Sequence, residues 1–223
     1  DLEGWNKISG LGNLMSNVTT LYINGQKVEG DLIIPDGATS INDYAFYNCE
    51  GLTNVTIPNS VTNIGSSAFY NCNKLTNITI PSSVTNISDS AFYNCDKLTN
   101  IAIPDKVTSI GRNAFYNCSK LENVTIPNSI TNIGYNAFYI TIIKNIYITD
   151  LAAWCGIAGI DGLTYAGSRI KNLYLNNELV TSLTIPNSVT TINAKTFAHF
   201  NSFISVTIPD NVTKIGNNAF YWC

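Results

Sequence analysis

Apolar positions return along this chain in a fixed rhythm, and one stretch shows the unit. Between Leu52 and Lys74, Leu52, Val55 and Ile57 have the spacing of a short strand. The strand alternation turns Val55 and Ile57 inward and Asn54 and Thr56 outward. Pro58 has no N–H to donate and ends the ladder, and Asn59-Ser60 reads as a turn. Turn formers fill the same slot elsewhere, as Asp36, Ser82, Asp105, Asn128, Asn187 and Asp210. Val61 and Ile64 bring apolar groups back along a second side, and Gly65 is expected to relax the backbone at the next corner. Ser66 or Ser67 then caps a single predicted helical turn over Ala68–Cys72, with Ala68, Phe69 and Cys72 inward and Tyr70 and Asn71 facing water.

The unit repeats. Pro35, Pro58, Pro81, Pro104 and Pro127 are 23 residues apart, as are Pro186 and Pro209. A phenylalanine follows each at +11, as Phe46, Phe69, Phe92, Phe115, Phe138, Phe197 and Phe220. A period of this length is the mark of a solenoid, in which no coil buries its own apolar face and each relies on its neighbours. The expected architecture is a parallel sheet on one face and short helical or 3-10 turns on the other.

The pattern L-x-x-[IV]-x-I-P-x-x-[VI]-x-x-I-x-x-x-A-F-x-x-C resembles the BspA-like (Treponema pallidum-type) class of leucine-rich repeat. It fits from about Asp31 to Phe138 and again from Leu183 to Cys223. The resemblance implies a leucine-rich-repeat solenoid of the kind found in secreted or surface proteins, mostly of bacteria. Several members resemble adhesins that bind host matrix proteins. The expected location is therefore secreted or cell-surface.

The rhythm breaks after Tyr139. Ile143–Ile148 still reads as a strand, but the proline turn is skipped and Asp150–Cys155 looks like a capped helical turn. A glycine-rich loop follows from Gly156 to Gly167, then strand, tight turn at Asn176-Asn177, and strand. The N-terminus copies this module: Asp1–Ile8 matches Asp150–Ile157, and Leu21–Gly25 matches Leu173–Asn177, with Asn24-Gly25 a strong hairpin turn. The chain thus divides into an irregular module at 1–30, regular repeats at 31–139, a second irregular module at 140–182 and final repeats at 183–223. It carries no basic-apolar leader, Asp1 lacks the strand that precedes Asp150, and the chain stops on a helical turn with no following strand, so we expect a segment of a longer array or ends covered by something else.

Charge and composition narrow the chemistry. The chain of 223 residues is 45% hydrophobic and only 12% charged, with a net charge of -3. Arg112 and Arg169 are its arginines, and no basic cluster suits a phosphate backbone, so nucleic acid is not an expected partner. No apolar run approaches the ~20 residues of a membrane span. Cys49, Cys72, Cys95, Cys118 and Cys223 share one repeat position, which Phe200 fills in another coil. A single file does not converge as a zinc site requires, so these read as buried free thiols acting as small hydrophobes. His199 is the one histidine, at a water-facing slot with no nucleophile beside it. Asp36, Asp89, Asp105 and Asp210 occupy turn or cap slots. No paired carboxylates or phosphate loop stand out, so neither an enzyme nor a cofactor or metal is expected.

Two stripes remain. The outward strand positions form a polar band that includes Asn54, Thr56, Asn77, Thr79, Asn100, Asn123, Thr125, Ser182, Thr184, Ser205 and Thr207. It is either a solvated sheet face or a partner surface. The second stripe, Tyr47, Tyr70, Tyr93, Tyr116 and Tyr139, either stacks on sugars and anchors proteins or lies flat over the turn below. Asn54, Thr56, Asn77, Thr79, Asn123, Thr125, Tyr70, Tyr93, Tyr116 and Tyr165 are the expected partner-binding residues. Their expected partner is an extracellular protein or glycan. The second reading is a rigid spacer that holds other domains away from the cell.

Overall fold

The computed structural model describes residues 4, 21–164 and 170–223. The expected N-terminal copy at Asp1–Ile8 and the candidate contact Tyr165 lie outside the described residues. The rest is a stack of coils with two walls of short parallel strands. The front wall pairs Gly30–Ile33 with Leu52–Thr56 and Asn77–Thr79, and then Asn100–Ala102 with Asn123–Thr125, Asn145–Ile148 and Asn172–Leu175. The last two coils pair Ser182–Thr184 with Ser205–Thr207. The side wall pairs Ser40–Ile41, Asn63–Ile64, Asn86–Ile87, Ser109–Ile110 and Asn132–Ile133 in order. Register holds identical positions opposite each other, Asn54 to Asn77 and Val55 to Ile78, because the 23-residue period is strict.

Between the walls lies one continuous core. Leu52, Val55, Ile57, Val61, Ile64, Ala68, Phe69 and Cys72 are all buried, as the alternation requires. Phe46, Phe69, Phe92, Phe115 and Phe138 form a stacked column with ring centroids 5.0–5.4 Å apart. That spacing follows the strand separation of roughly 4.8 Å that sets the rise of each coil. A coil's apolar face is covered only by its neighbour. Leu183 and Ile185 are buried under the final coil, whereas their counterparts Val206 and Ile208 in that coil are exposed.

The back of the stack differs from the expected helical turn. The Ala68, Tyr70 and Cys72 N–H groups donate to the carbonyls of Gly65, Ser67 and Phe69 in their own coil, at 3.2–3.3 Å. The intervening Ser67, Phe69 and Asn71 N–H groups donate instead to Asp89, Ala91 and Tyr93 of the next coil, at 2.8–2.9 Å. A helix would direct every N–H along its own axis and give the neighbour nothing, and a single isolated turn is unstable. Alternating the donors requires left-handed backbone at Ser67 (φ 54°) and Asn71 (φ 59°). Ser67 is therefore not a helix cap. The left-handed requirement also accounts for asparagine at Asn48, Asn71, Asn94 and Asn117, because a short amide tolerates that region better than most side chains.

Gly65 also serves a different purpose from the one expected. Its φ is not left-handed, and a Cβ there would lie 2.6 Å from the Asp43 N and 2.7 Å from the Asn42 carbonyl carbon. Gly111 and Gly134 face the preceding coil equally closely. Ser88 occupies the same slot where the coils stand slightly apart: its N–H reaches Ile64 O at 3.1 Å, against 2.8 Å for Gly65 to Ile41 O. Close backbone approach, not flexibility, selects the glycine.

The irregular module is built into the stack. Helix α1 (Leu151–Gly156) is capped by Asp150, whose carboxylate accepts from the Ala152 and Ala153 N–H groups, as the sequence pattern indicated. It drives Trp154 into the core, where the indole N–H donates to Thr196 O at 3.1 Å. Ala158 bridges Asn132 of the side wall, and the Asn193 amide donates to Ile157 O, so the wall continues through the irregularity. The short helix α2 (Asp161–Thr164) follows, with Gly162 O accepting from Phe138 N. Both expected hairpins form. Tyr22–Ile23 pairs with Gln26–Lys27, and Asn172–Leu175 with Glu178–Leu179. Positive φ at Asn24 and Gly25, and at Asn176 and Asn177, makes each a type I′ turn.

The cysteines are free and, apart from Cys223, buried. The thiols of Cys72, Cys95 and Cys118 donate to the carbonyls of Phe46, Phe69 and Phe92 in the preceding coil, at 3.2–3.4 Å. Burial pushes the thiols of Cys49 and Cys155 up to about 12, far from the reactive range. A thiol-reactive reagent is expected to label Cys223 quickly in the native chain and the other cysteines only in denaturant. Fast native labelling of Cys95 would contradict this packing.

Candidate functional site on the front sheet

The outer surface of the front wall carries three rows of side chains. One begins at Asp31 and continues through Asn54, Asn77, Asn100, Asn123, Asn145 and Asn172. The amide of Asn54 donates to the Asp31 carboxylate at 2.6 Å, and that of Asn77 to Asn54 at 3.3 Å. Asn123 donates to Asn100 at 2.7 Å, Asn145 to Asn123 at 2.8 Å, and Asn172 to Asn145 at 2.8 Å. Hydrogen bonds from Asn54 and Thr53 hold the Asp31 carboxyl below its usual range. Between Asn77 and Asn100 the row is interrupted, because the Asn100 amide turns to the Thr99 hydroxyl at 3.0 Å. Asn54 and Asn123, expected as contacts, are thus committed on both sides to amide or carboxylate partners, and Asn77 on one; all three are half-buried or exposed.

A second row, Thr53, Thr76, Thr99, Glu122, Lys144 and Lys171, runs beside it. Thr76 donates through both N–H and hydroxyl to Thr53 O, and Lys144 pairs with Glu122 at 2.7 Å. The third row is Ile33, Thr56, Thr79, Ala102, Thr125, Tyr147 and Tyr174, set by strand register. Thr56, Thr79 and Thr125 are exposed. Here the row changes height. Small side chains end at Thr125 and the stacked rings of Tyr147 and Tyr174, 4.7 Å apart, rise beyond it.

That step, closed from the side by the hairpin turn, forms a cavity of about 390 Å³ lined by Thr125, Tyr147, Ile148, Thr149, Asn176 and Asn177. Tyr147, Asn176 and Asn177 were not among the expected contacts. The available signals were the replacement of threonine by tyrosine in one repeat and the two-residue hairpin beside it. What placed them together is strand order: Asn172–Leu175 pairs directly beside Asn145–Ile148, so the hairpin turn sits at the end of the Tyr147 strand, where Asn176 N donates to Ile148 O at 3.0 Å.

The tyrosine stripe lies on the back. Tyr47, Tyr70, Tyr93 and Tyr116 stack at 4.5–4.7 Å, with Tyr139 tilted at 5.4 Å. Each inner ring has both faces covered by its neighbours, so Tyr70, Tyr93 and Tyr116 offer edges and hydroxyls. Burial, followed by the neighbouring tyrosines, pushes the Tyr70 phenol up to about 12. Beneath them the amides of Asn71, Asn94 and Asn117 each donate to the asparagine of the coil before, at 2.8–2.9 Å. His199 falls in this asparagine slot, with φ 71° and its ring edge-on to Tyr221. Asp89 accepts from the Arg112 N–H at 2.7 Å, the backbone-bonding duty expected of it. Among the described residues no group of three or more His, Cys, Asp or Glu could hold a metal, and no helix is long and apolar enough to cross a membrane.

With this geometry in view, the family follows from the repeat itself. The model of the BspA type leucine rich repeat region matches residues 31–153 and 168–223 in six copies. The chain belongs to the BspA-type leucine-rich repeat family. Its fold is similar to that of a leucine rich cell surface protein of Faecalibacterium prausnitzii, at 27% identity and a TM-score of 0.56, over 91% of this chain and 65% of that one. A leucine rich repeat protein of T. pallidum is similar at 25% identity and a TM-score of 0.52, over 86% of this chain and 76% of the other. One from Eubacterium ventriosum matches at 28% identity and a TM-score of 0.50, over 86% of this chain and 50% of that one. The chain thus spans just under two thirds of the first of these BspA-type relatives and half of the third. No curated protein matches it.

Two outcomes test the rows. Asn123→Ala removes two amide bonds and is expected to cost about 1–2 kcal/mol in urea unfolding. Thr79→Lys, on the exposed row, is expected to stay within about 0.5 kcal/mol of the parent. Equal losses would contradict the ladder. Burial, followed by Lys195, lowers the His199 pKa from 6.5. Between the folded and unfolded values the unfolded chain therefore binds more protons, so stability rises with pH across that window. His199 contributes fully above about 6.5, and the stability is lost as pH falls through the folded value. Thermal unfolding followed from pH 7 to 5 should show this decline, and His199→Asn should remove it.

Proposed function

We propose that this chain acts by binding an extracellular partner at the cell surface, in the manner of an adhesin, through the outer face of its front sheet. One observation carries the reading. The amide bonds between coils hold the sheet face while the Thr56, Thr79 and Thr125 row stays exposed beside the half-buried rings of Tyr147 and Tyr174. A preordered surface loses little side-chain entropy on association, which is the main advantage a solenoid face offers a partner. The cell-surface description of the F. prausnitzii protein supports the location. The front face is favoured over the back because the tyrosine rings of the back already cover one another.

The test is a binding screen of the purified chain on arrayed extracellular-matrix proteins, glycans and whole cells. A Thr56→Lys/Thr79→Lys double variant serves as the control. Saturable binding that the double variant loses, with its unfolding midpoint unchanged, is the expected result. Silence on all three surfaces would sink the binding reading and leave a spacer.

A further inference from the structure

At the hairpin turn the front face presents two uncommitted amides side by side. Along the strands the asparagine amides bond one another, yet Asn176 and Asn177 sit exposed at the hairpin turn with no side-chain hydrogen bond among the described residues. They face the cavity whose far wall is Tyr147. One face of that ring is covered by Tyr174 at 4.7 Å. The other looks over Thr125, its register partner, which is too short to cover it. The result is a half-open pocket with a bare aromatic wall, a threonine floor and two amides at the rim.

The lining is uncharged throughout. The first hairpin provides an internal contrast. Its cavity, about 290 Å³, is lined by Lys27, Glu29 and Asp31, with Lys27 and Glu29 paired at 2.7 Å. The same turn type therefore frames a charged hollow beside the first strands of the front wall and a neutral one at the edge of the five-stranded sheet that follows. A neutral hollow gives no electrostatic preference to phosphates, carboxylates or basic peptides.

We propose that the pocket between Tyr147 and Asn176-Asn177 binds a neutral sugar ring of an extracellular glycan. The proposal rests on the binding function inferred above and names its ligand class. A pyranose has an apolar face of C–H groups and a rim of hydroxyls. The apolar face packs on the Tyr147 ring, whose amphipathic character suits a contact that is dry on one side and wet on the other. Each asparagine amide offers two donors and an acceptor, which match vicinal hydroxyls. The cavity lies at the lower end of the roughly 300–1,000 Å³ typical of small-ligand sites. The low row from Thr56 to Thr125 leads into it along the sheet, so a glycan chain extends over that row from the seated ring.

Saturation-transfer NMR titrations of the chain with cellotriose, mannotriose and the N-acetylglucosamine trimer test this, with trigalacturonate as the charged comparison. At least one neutral trisaccharide is expected to bind saturably and more tightly than trigalacturonate. Tyr147→Ala should weaken it about tenfold or more, while Tyr147→Phe, which keeps the ring, stays within about threefold. Asn177→Gly keeps a type I′ turn and removes one amide, and should also weaken binding. The unfolding midpoint of each variant shows that the fold persists. Absence of neutral sugar binding, or equal affinity in Tyr147→Ala, overturns the proposal. If a matrix protein still binds the Thr56/Thr79 face in that case, the binding function stands and only the glycan pocket falls. If no surface binds at all, both fall.

Discussion

Everything in this molecule depends on the spacing of parallel strands. Coils can rise by only about 4.8 Å per turn if their backbones are to pair, and each side chain of one coil then meets its own counterpart in the next. A residue tolerable once must be tolerable stacked on itself. Asparagine succeeds because its amide is both donor and acceptor, so a run of them is self-satisfying, as Asn100 to Asn172 on the front and Asn48 to Asn117 on the back show. Phenylalanine succeeds because ring stacking occurs near that distance. Charged residues stacked on themselves would repel, which accounts for a chain only 12% charged. Charges that do stack are either paired, as Glu122 with Lys144, or held out in water, as Lys74, Lys97 and Lys120.

The same constraint explains the back of the coil. With bonds between coils available at every second N–H, the chain forgoes a helix and adopts alternating left-handed residues instead. It also explains the thiol column, where Cys72, Cys95 and Cys118 bond to phenylalanine carbonyls one coil away rather than to each other. Glycine enters where two backbones touch, at Gly65, Gly111 and Gly134.

Relief enters where the period fails. A perfect solenoid offers a uniform face whose polar groups answer one another. The irregular module replaces threonine by Tyr147 and Tyr174 and ends the second of these strands in a hairpin turn, so it creates the relief that a periodic face lacks. Trp154 and its bond to Thr196 O hold that module in the stack, so the relief is built on a packed base.

The sequence by itself determined the solenoid, its period, its inward residues, both hairpins and the Asp150 cap, because each follows from local alternation, turn chemistry and repetition. It also marked the Thr56, Thr79 and Thr125 row as outward. Tertiary structure alone decided which outward groups stay available. Asn54, Asn77 and Asn123 look like free amides in one repeat, and only stacking satisfies them. Tyr70, Tyr93 and Tyr116 look like free ring faces until their neighbours cover them. Tyr147 and Asn176, distant in sequence by more than a full coil, share a pocket only because the strand leading into the hairpin turn pairs beside the strand of Tyr147. Occupancy between coils is a property of neighbours in space, and a single repeat read along the chain contains no record of it.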